Sequence, residues 1–525
     1  MNTFDYAIVV GYLGVLLGLG YFFKEQNSKT DYFLGGREMG VFPLTLSTMA
    51  TQLSAISFIS APAFVGLREG GGMVWLSYEF GVPLAMLFLM VYVLPALYRS
   101  GVVSIYDYLE RRFGMSTRLV ISVVFQVSRA FATGVTIYAT ALILDSVMGI
   151  PFYPAISIIG VITIIYSLQG GMKAVVWSDT IQMILIFFGV LMVGGYALVN
   201  LGGVDAFLAN VDTQRLEVLR TDSLGFSGDE WGLLPMIFGG FVLYASYYGC
   251  DQTQAQRTLS AKSEQTVRHI LLANGLARFP IVFLYCTAGL ILGTFVTMTP
   301  EFMAKIPPDR PDTMVPLFIV NYLPHGIIGI LVVALLAAAM SSLSSVVNSL
   351  SAVSLEDYLR LTGRELEQKT YVFWSRVTVF VWGIIIVVTS IFAGDIAPTV
   401  IEAINKIGSV FYGPILAIFL LAILFNKVHA TGANIGLLTG VGVNVYLWLF
   451  QPQIFWLWWN FIGCVVTMTV ALVISAIRHE ESTAPPGLDQ GVGHWYKGET
   501  IVLVGAFVGM LIVGALVPVI FGSGQ

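Results

Sequence analysis

A polar stretch follows an apolar run in the second half of the chain: AAAMSSLSSVVNSLS, at 337–351. Most of its polar residues share one stripe on an α-helix, because they lie three and four residues apart: Ser341, Ser342, Ser345, Asn348 and Ser349. Ser344 and Ser351 continue the stripe along an adjacent edge. A lone serine in an apolar helix bonds back to the carbonyl four residues earlier, but paired serines over two turns present several oxygens to one point. Neutral oxygens with one carboxylate bind a hard cation of modest charge, so the stretch indicates a cation site.

The carboxylate for such a site is Asp179, in AVVWSDTIQ, at or just inside the start of another apolar run. An acid inside a membrane segment is costly and is by default a functional candidate. The alternative is structural, since Ser178 and Asp179 are also residue types that cap the N-terminus of a helix. The sequence leaves both interpretations open.

The run FPLTLSTMATQLSAISFISAPAFVGL, at 42–67, is too polar for a helix that faces lipid, and its Pro62 cannot donate a backbone hydrogen bond. Non-helical backbone is tolerated at membrane depth only where it is buried or lines a cavity. Broken helices of this kind expose carbonyl oxygens to cations. Tight helix packing through small residues explains the same composition, so the sequence favours neither interpretation over the other.

The composition places these runs in a lipid bilayer. The chain has 525 residues, of which 57% are hydrophobic and 11% charged, and its mean hydropathy is +0.83. A soluble protein needs far more polar surface, so the lipid bilayer is an expected partner, and nucleic acid is not. Cys250, Cys286 and Cys464 lie in apolar runs without metal-binding spacing, and we expect them to be buried small residues. The first apolar run lacks a cleavage site and is expected to be retained.

Fourteen runs are long enough to cross a bilayer core, which takes roughly 20 residues of helix. They lie near 5–23, 42–67, 72–97, 119–147, 152–169, 175–199, 232–250, 269–298, 325–354, 372–393, 398–424, 430–449, 455–477 and 499–521. With both termini outside, seventeen of the 26 Lys and Arg residues fall in inner connections, five in outer ones, and four within or at the edges of runs. Since basic residues collect on the cytoplasmic side, we predict an all-α polytopic membrane protein with about 14 transmembrane helices and both termini extracellular or periplasmic.

Other features narrow the function. The segment SIYDYLERRF, at 104–113, alternates apolar and charged residues and predicts a short helix at the inner interface. The five histidines lie near the ends of apolar runs or in loops, without the spacing of metal ligands or of an acid–base pair, so we expect no enzyme. A channel would carry a repeated pore loop, which the sequence does not show.

Six blocks in a fixed order carry a family resemblance. They are DYFLGGREM at 31–39, ATQLSAISF at 50–58, YDYLERRFG at 106–114, YSLQGGMKAVVWSDTIQ at 166–182, QRTLSAKS at 256–263 and AAAMSSLSSVVNSLS. Together they resemble the sodium:solute symporter family, whose members include sodium-coupled sugar, sialic acid, proline, vitamin and iodide carriers. The resemblance covers nearly the whole chain, because the pattern of apolar runs fits as well.

The resemblance implies a LeuT-type fold, in which two inverted five-helix repeats (5+5) are joined by flanking helices. The expected organisation is a single transmembrane transporter domain over 1–525. It begins with an extra helix at 5–23. The first repeat and the start of the second lie at 42–250, the second repeat spans 232–424, and C-terminal extra helices follow at 430–521.

The resemblance also implies sodium as the coupling ion. The ligands of a main site, carried over by position, would be the carbonyls of Ala50, Leu53 and Ala338 and the hydroxyls of Ser341 and Ser342. Members with a second sodium site use a serine pair one turn further on and an aspartate, which correspond here to Ser341, Ser344, Ser345 and Asp179.

The residues for the solute give conflicting signals. Glu79, Tyr247 and Asn405 match positions that contact sugar in galactose-transporting relatives. Tyr244 and Ser57 depart from that pattern, and ATQLSAISF is closer to carriers of organic anions. The candidate solute-binding residues are Ser54, Ser57, Glu79, Arg129, Tyr244, Tyr247, Arg278 and Asn405.

Two arginines inside apolar runs remain ambiguous. Arg129 either contacts the solute, as an arginine on this helix does in sialic acid carriers, or forms a structural bridge with Glu79 or another buried acid. Arg278 aligns with a lysine that reaches sugar in relatives.

The sequence thus predicts secondary active transport that couples inward Na+ movement to uptake of a small polar organic solute, with a sugar or sugar-like compound as the first expectation. The alternatives are an organic anion, such as sialic acid or a monocarboxylate, and a substrate sensor on the same fold that does not transport. No obligate protein partner is expected. The absence of any N-x-S/T sequon favours a bacterial inner membrane.

Overall fold

The structure is a computed structural model, and it describes residues 1–22, 34–53, 55–102, 104–167, 172–393, 396–478 and 494–522. These residues form helices and, within the described ranges, no β-strand; one isolated bridge pairs Met39 with Ala261. The first eleven α-helices are α1 Thr3–Phe22, α2 Val41–Gln52, α3 Ala55–Gly66, α4 Gly81–Phe88, α5 Leu94–Arg99, α6 Ile105–Phe113, α7 Met115–Met148, α8 Phe152–Ser167, α9 Met172–Leu201, α10 Val204–Asn210 and α11 Leu233–Cys250.

The remaining α-helices are α12 Gln252–Leu259, α13 Glu264–Met298, α14 Pro300–Met303, α15 Met314–Tyr322, α16 Ile327–Thr362, α17 Gln368–Ser390, α18 Val400–Leu424, α19 Ala430–Phe450, α20 Trp458–Arg478 and α21 Lys497–Gly522. Short 3₁₀ segments lie at Gly35–Arg37, Met73–Phe80, Thr213–Arg215 and Pro311–Thr313, and a π-helical turn lies at Leu89–Val93.

The predicted spans coincide with these helices. Ten helical runs of the described chain are long and apolar enough to cross a membrane, and α2 with α3 forms a further, bent candidate. The other three predicted spans, 5–23, 152–169 and 325–354, fall on α1, α8 and α16. The all-α polytopic class is therefore confirmed, while the count of fourteen membrane crossings stays a prediction. The three cysteines are buried, as expected.

Contacts between connections agree with the predicted alternation of spans. We call the face on which α1 begins the outer face, and the opposite one the inner face. On the outer face, Asp5 accepts a hydrogen bond from the Gly326 N–H (2.7 Å), and Arg68 pairs with Glu402 (2.9 Å). On the inner face, Arg99 pairs with Glu264 (2.6 Å). Which face is extracellular stays a prediction.

The predicted interfacial helix is present as α6, whose N-terminus is capped by Ser104. A buried arginine at the start of α7, Arg118, ties this helix to its neighbours. Its guanidinium pairs with Asp107 and Glu110 on α6 and with Asp357 near the end of α16. Three acids around one arginine hold these helices together on the inner face.

The polar run 42–67 is a broken helix. α2 ends at Gln52, Leu53 has non-helical angles (φ −86°, ψ 65°), and α2 and α3 meet at a bend of 53°. Beyond the break, α3 packs closely on α13 through glycine. A Cβ built on Gly293 would lie 2.4 Å from the Gly66 Cα, and one on Gly289 would lie 2.5 Å from the Pro62 Cα. The break agrees with the first sequence interpretation and the close packing with the second, while the exposure of carbonyl oxygens to a cation stays a prediction.

We predict that Gly293→Ala destabilises the protein by about 1–3 kcal/mol, because the added methyl group overpacks the contact between α3 and α13. Gly509→Ala is the matched control: its Cβ meets nothing within 4 Å on α21, and alanine raises helix propensity. Thermal unfolding in detergent measures both variants. Equal midpoints would show that the close approach does not limit stability.

Candidate functional site

A cavity of about 110 Å³ lies beside the break between α2 and α3. Its walls come from this break, from the 3₁₀ segment Met73–Phe80, and from α7, α11, α12, α13, α16 and α18. Six of the predicted solute-binding residues line it: Ser57, Glu79, Arg129, Tyr247, Arg278 and Asn405. Tyr244 is not part of the lining but contacts Glu79 and Arg278, which are, and Ser54 lies outside the described residues. The fold therefore brings the predicted solute residues together around one cavity.

Glu79 and Arg278 form a buried ion pair at one wall of the cavity. Arg278 Nη2 donates to Glu79 Oε1 (3.0 Å), and Arg278 Nε donates to Glu79 Oε2. The Tyr244 hydroxyl also donates to Glu79 Oε1 (2.9 Å), and its ring lies under the guanidinium, 5.0 Å from Cζ. Since an ionised carboxylate has about four acceptor positions, three of them are already used within the protein.

Arg129 lies at another wall, on α7, and pairs with Asp251. Its guanidinium is positioned by two tyrosines, with Cζ 5.2 Å from the Tyr247 ring centroid and 5.9 Å from that of Tyr412. Of the two sequence interpretations, the structure shows a bridge to a buried acid. The acid is Asp251 rather than Glu79, which is held by Arg278.

An aromatic layer covers the cavity toward the outer face. The Trp75 ring stacks on Tyr78 with centroids 5.1 Å apart, and it also packs against Phe64 and Trp231. The Tyr78 hydroxyl donates to the Asn405 side-chain oxygen (2.8 Å). The four aromatic side chains are buried, and Trp75 and Tyr78 line the cavity.

Several residues that line the cavity or lie directly behind its wall are absent from the sequence prediction. Asp251, Tyr412, Gln52 and Tyr285 carry no charge pattern or spacing that would single them out in an apolar chain. Gln52 Oε1 and the Tyr285 hydroxyl line the cavity and, among the described residues, have no hydrogen-bond partner. Buried polar atoms normally find partners, so these two atoms are available to a polar ligand.

Two of the proposed main sodium ligands, the carbonyls of Ala50 and Leu53, belong to backbone that the structure describes. The end of α2 leaves carbonyls that the helix itself does not satisfy. The Thr51 carbonyl accepts from the Tyr247 hydroxyl (3.4 Å) and the Gln52 carbonyl from Ser57 Oγ (3.4 Å). Ala50 and Leu53, the residues assigned to sodium, flank this pair and are buried. The other assigned ligands lie on α16, and their side chains are outside the described residues: Ala338, Ser341, Ser342, Ser344 and Ser345.

Asp179 lies well inside α9, which begins at Met172, so the interpretation as a helix cap is wrong. Its Oδ2 accepts from Ser47 Oγ (2.5 Å) and pairs with Arg257 Nη2 (2.9 Å). Arg257 Nε in turn donates to Ser47 Oγ (2.8 Å). Asp179, which the sequence assigns to a second sodium site, is therefore paired with Arg257 in this structure.

Comparison with known proteins decides the family. The family model "Sodium:solute symporter family" matches residues 32–440. The chain belongs to this family. Its members and the relatives named below are transporters, so the prediction that the chain is not an enzyme is confirmed, and Na+-coupled solute symport is its function.

Two curated relatives are similar to this symporter in sequence, and one solved structure is similar to it in fold. It is 29% identical to sodium-coupled monocarboxylate transporter 2 of Bos taurus, over 85% of this chain and 72% of the relative. It is 28% identical to the sodium/iodide cotransporter of Homo sapiens, over 85% and 70%. The fold resembles that of a Na+-coupled sialic acid symporter in a substrate-bound outward-open state, with a TM-score of 0.80, 24% identity, and coverage of 91% of this chain and 98% of that one. The implied LeuT-type fold agrees with this similarity.

The symporter also has a buried carboxylate, Asp312, on its outer face. Asp312 lies between α14 and α15, outside the membrane-spanning segments, and is buried. Its Oδ2 accepts from the Val400 N–H (3.0 Å) at the start of α18, whereas Oδ1 is buried and has no hydrogen-bond partner within the described part of the chain. Burial raises the pKa of Asp312 to about 6. Asp312 therefore connects the outer segment 311–322 to α18 in a protonation-dependent way.

We predict that Asp312→Asn removes part of the dependence of stability on pH. The pKa of Asp312 is higher in the folded protein than the ordinary value of 3.8. The folded state therefore holds the proton more tightly, and the free energy of unfolding falls by up to about 3 kcal/mol as the pH rises from about 4 through 6. The Asp312→Asn variant would lack this decrease. Thermal midpoints between pH 4.5 and 7.5 measure it.

The control for this prediction is Asp309→Asn. Asp309 lies in the same connection, but its side chain is mostly exposed. This variant should keep the wild-type pH profile. If Asp312→Asn also kept it, the buried carboxylate would not be the titrating group.

Proposed function

We propose that this symporter couples inward Na+ movement to the uptake of a small organic anion of the monocarboxylate type. The observation that carries the proposal is the charge of the cavity wall. Among the described residues that line the cavity, the charged ones are Glu79, Arg129 and Arg278. Glu79 and Arg278 neutralise each other, whereas the counter-ion of Arg129, Asp251, lies behind the lining. The cavity surface thus presents one positive charge.

The chemistry of Arg129 fits a carboxylate. A guanidinium presents planar, parallel donors that match carboxylate oxygens, and its hydrogen bonds to an anion are stronger than neutral ones. The relatives support the same class, since those named above carry monocarboxylate, iodide and sialic acid. The Tyr247 and Tyr412 rings hold the guanidinium in place, so a bound carboxylate would meet an oriented donor pair.

Sodium would bind where the α2–α3 break faces α16. For the main site, the proposed ligands are Ala50, Leu53, Ala338, Ser341 and Ser342; for a second site they are Asp179, Ser341, Ser344 and Ser345. A cation at the break would hold α2 and α3 against α16, and opening toward the inner face would separate these helices and loosen the oxygen shell. The proposal includes the inverted repeats, with the first repeat and the start of the second at 42–250 and the second repeat at 232–424. It also includes a location in a bacterial inner membrane.

A neutral polyhydroxylated solute, such as a sugar, is the second candidate. Three groups at the cavity favour it: the Asn405 amide, which is held by Tyr78, and the unpartnered Gln52 Oε1 and Tyr285 hydroxyl. Against it, Arg278 and Tyr244 already use three of the roughly four acceptor positions of Glu79, so Glu79 could accept only about one sugar hydroxyl unless it left Arg278. The pairing of Glu79 therefore favours the anion.

Ser342→Ala should lower the apparent affinity for Na+ by about tenfold or more, because the variant lacks one oxygen of the proposed main site. Concentrative uptake should be lost with it. Ser349→Ala is the control: Ser349 lies two turns further along the same helix and is buried, and we expect unchanged Na+ dependence. Uptake into proteoliposomes at varied Na+ concentration measures both. Identical Na+ curves for wild type and Ser342→Ala would exclude the proposed main site.

The solute class is tested by uptake of labelled acetate, propionate, butyrate and galactose into proteoliposomes under an inward Na+ gradient. We expect accumulation of a monocarboxylate that Arg129→Gln abolishes. Lys406→Gln is the control for the loss of a cation, since Lys406 is half-buried, lies over the Trp448 ring and is not part of the cavity lining. Accumulation of galactose alone would support the second candidate, and Na+-dependent binding without accumulation would indicate a sensor.

A further inference from the structure

Asp251 lies at the junction between α11 and α12, immediately behind the cavity wall. Its backbone is extended (φ −96°, ψ 126°), which ends α11 and starts α12 in a new direction. Only 6% of the residue is exposed. The neighbouring Thr253 lines the cavity, whereas Asp251 does not. The side chain therefore reaches Arg129 from outside the space that a solute would fill.

The two oxygens of Asp251 have separate functions. Oδ1 caps α12 by accepting from the backbone N–H of Thr253 (2.8 Å) and from its hydroxyl. Oδ2 pairs with Arg129. A helix cap and an ion pair are independent interactions, so the cap persists when the arginine turns to another acceptor. Asp251 is thus a buried carboxylate that would keep charge-stabilising donors after losing Arg129.

The contact of Asp251 with Arg129 has the chemistry that a solute carboxylate would have. Both are carboxylates on the same guanidinium, one reaching it from behind the wall and the other from the cavity. Arg129 lies against the rings of Tyr247 and Tyr412, and we expect it to keep this position when a solute carboxylate replaces Asp251. An arginine buried without a counter-ion would be strongly unfavourable, so Arg129 needs an internal carboxylate whenever no anionic solute is bound.

We propose that Asp251 occupies Arg129 in the empty cavity in place of the solute, and that an anionic solute binds by taking over this arginine. Asp251 is then a specificity-determining residue. An anionic solute must displace Asp251 from Arg129 in order to bind, whereas a neutral solute does not form an ion pair with Arg129. This inference depends on the proposed function, namely that the solute is an organic anion.

The test compares Asp251→Asn with wild type. Asparagine caps helices as well as aspartate does, so α12 keeps its start, while Arg129 loses its internal counter-ion. The probes are acetate, propionate and butyrate, each with its neutral amide, added to detergent-purified protein at saturating Na+. Calorimetry measures the affinity, and thermal unfolding measures the stability of each ligand-free variant.

We expect Asp251→Asn to bind the carboxylate about tenfold more tightly than wild type, with the affinity for the amide unchanged within about twofold. The ratio of carboxylate to amide affinity is the decisive quantity, because a purely structural change would weaken both. Arg129→Gln combined with Asp251→Asn removes the whole pair. This double variant should fold, since it leaves no uncompensated buried charge, and should not distinguish carboxylate from amide.

Equal or weaker carboxylate binding by a folded Asp251→Asn would overturn the inference while leaving the proposed function intact. If wild type bound none of the carboxylates, the proposed function would fail, and this inference with it. If ligand-free Asp251→Asn is too unstable for calorimetry, the same criteria apply to the rise of its thermal unfolding midpoint with each carboxylate and with each amide, because a ligand that binds only the folded state stabilises it; no larger rise with the carboxylates than with the amides would overturn the inference.

Discussion

A charge buried among apolar helices must have a partner of opposite charge, and this constraint organises the symporter. Four buried arginines on three helices meet acids from other segments of the chain: Arg118 with Asp357, Arg129 with Asp251, Arg257 with Asp179, and Arg278 with Glu79. The cost of leaving one of these charges alone is several kcal/mol. Each pair therefore selects which surfaces of its segments meet, because another arrangement would leave a buried charge without a partner.

Two of these pairs share the short helix α12. Asp251 caps its first turn and reaches Arg129 at the solute cavity, and Arg257 in its last turn reaches Asp179 on α9. α12 is eight residues long, about 12 Å of helix. Gln254, between them, donates to the Thr48 carbonyl on α2 (3.3 Å). A displacement of α12 that follows the release of Arg129 would thus reach both the broken helix and the proposed second sodium ligand.

The sequence predicts what depends on composition and period. Apolar runs locate the helices, the polar content of 42–67 predicts the break, and the alternation in 104–113 predicts α6. Pairing across the bundle is different, since Glu79 and Arg278 are 199 positions apart. No local pattern says which of several buried acids an arginine will meet, so the sequence left Glu79 or another buried acid for Arg129, and the structure shows Asp251. Asp179 was ambiguous for the same reason, because its partners Ser47 and Arg257 come from distant segments.

The pairing also bears on the energy available for transport. If the pairs stay neutral through the cycle, the charge that crosses the membrane is that of the solute and the sodium ions. One Na+ with a monoanion then moves no net charge, and only the concentration gradient drives uptake. A second Na+ adds one charge, worth about 2.3 kcal/mol per 100 mV. At the proposed second site that ion would compete with Arg257 for Asp179, so the strength of this pair would decide whether the membrane potential contributes, and the charge moved per solute distinguishes the two cases.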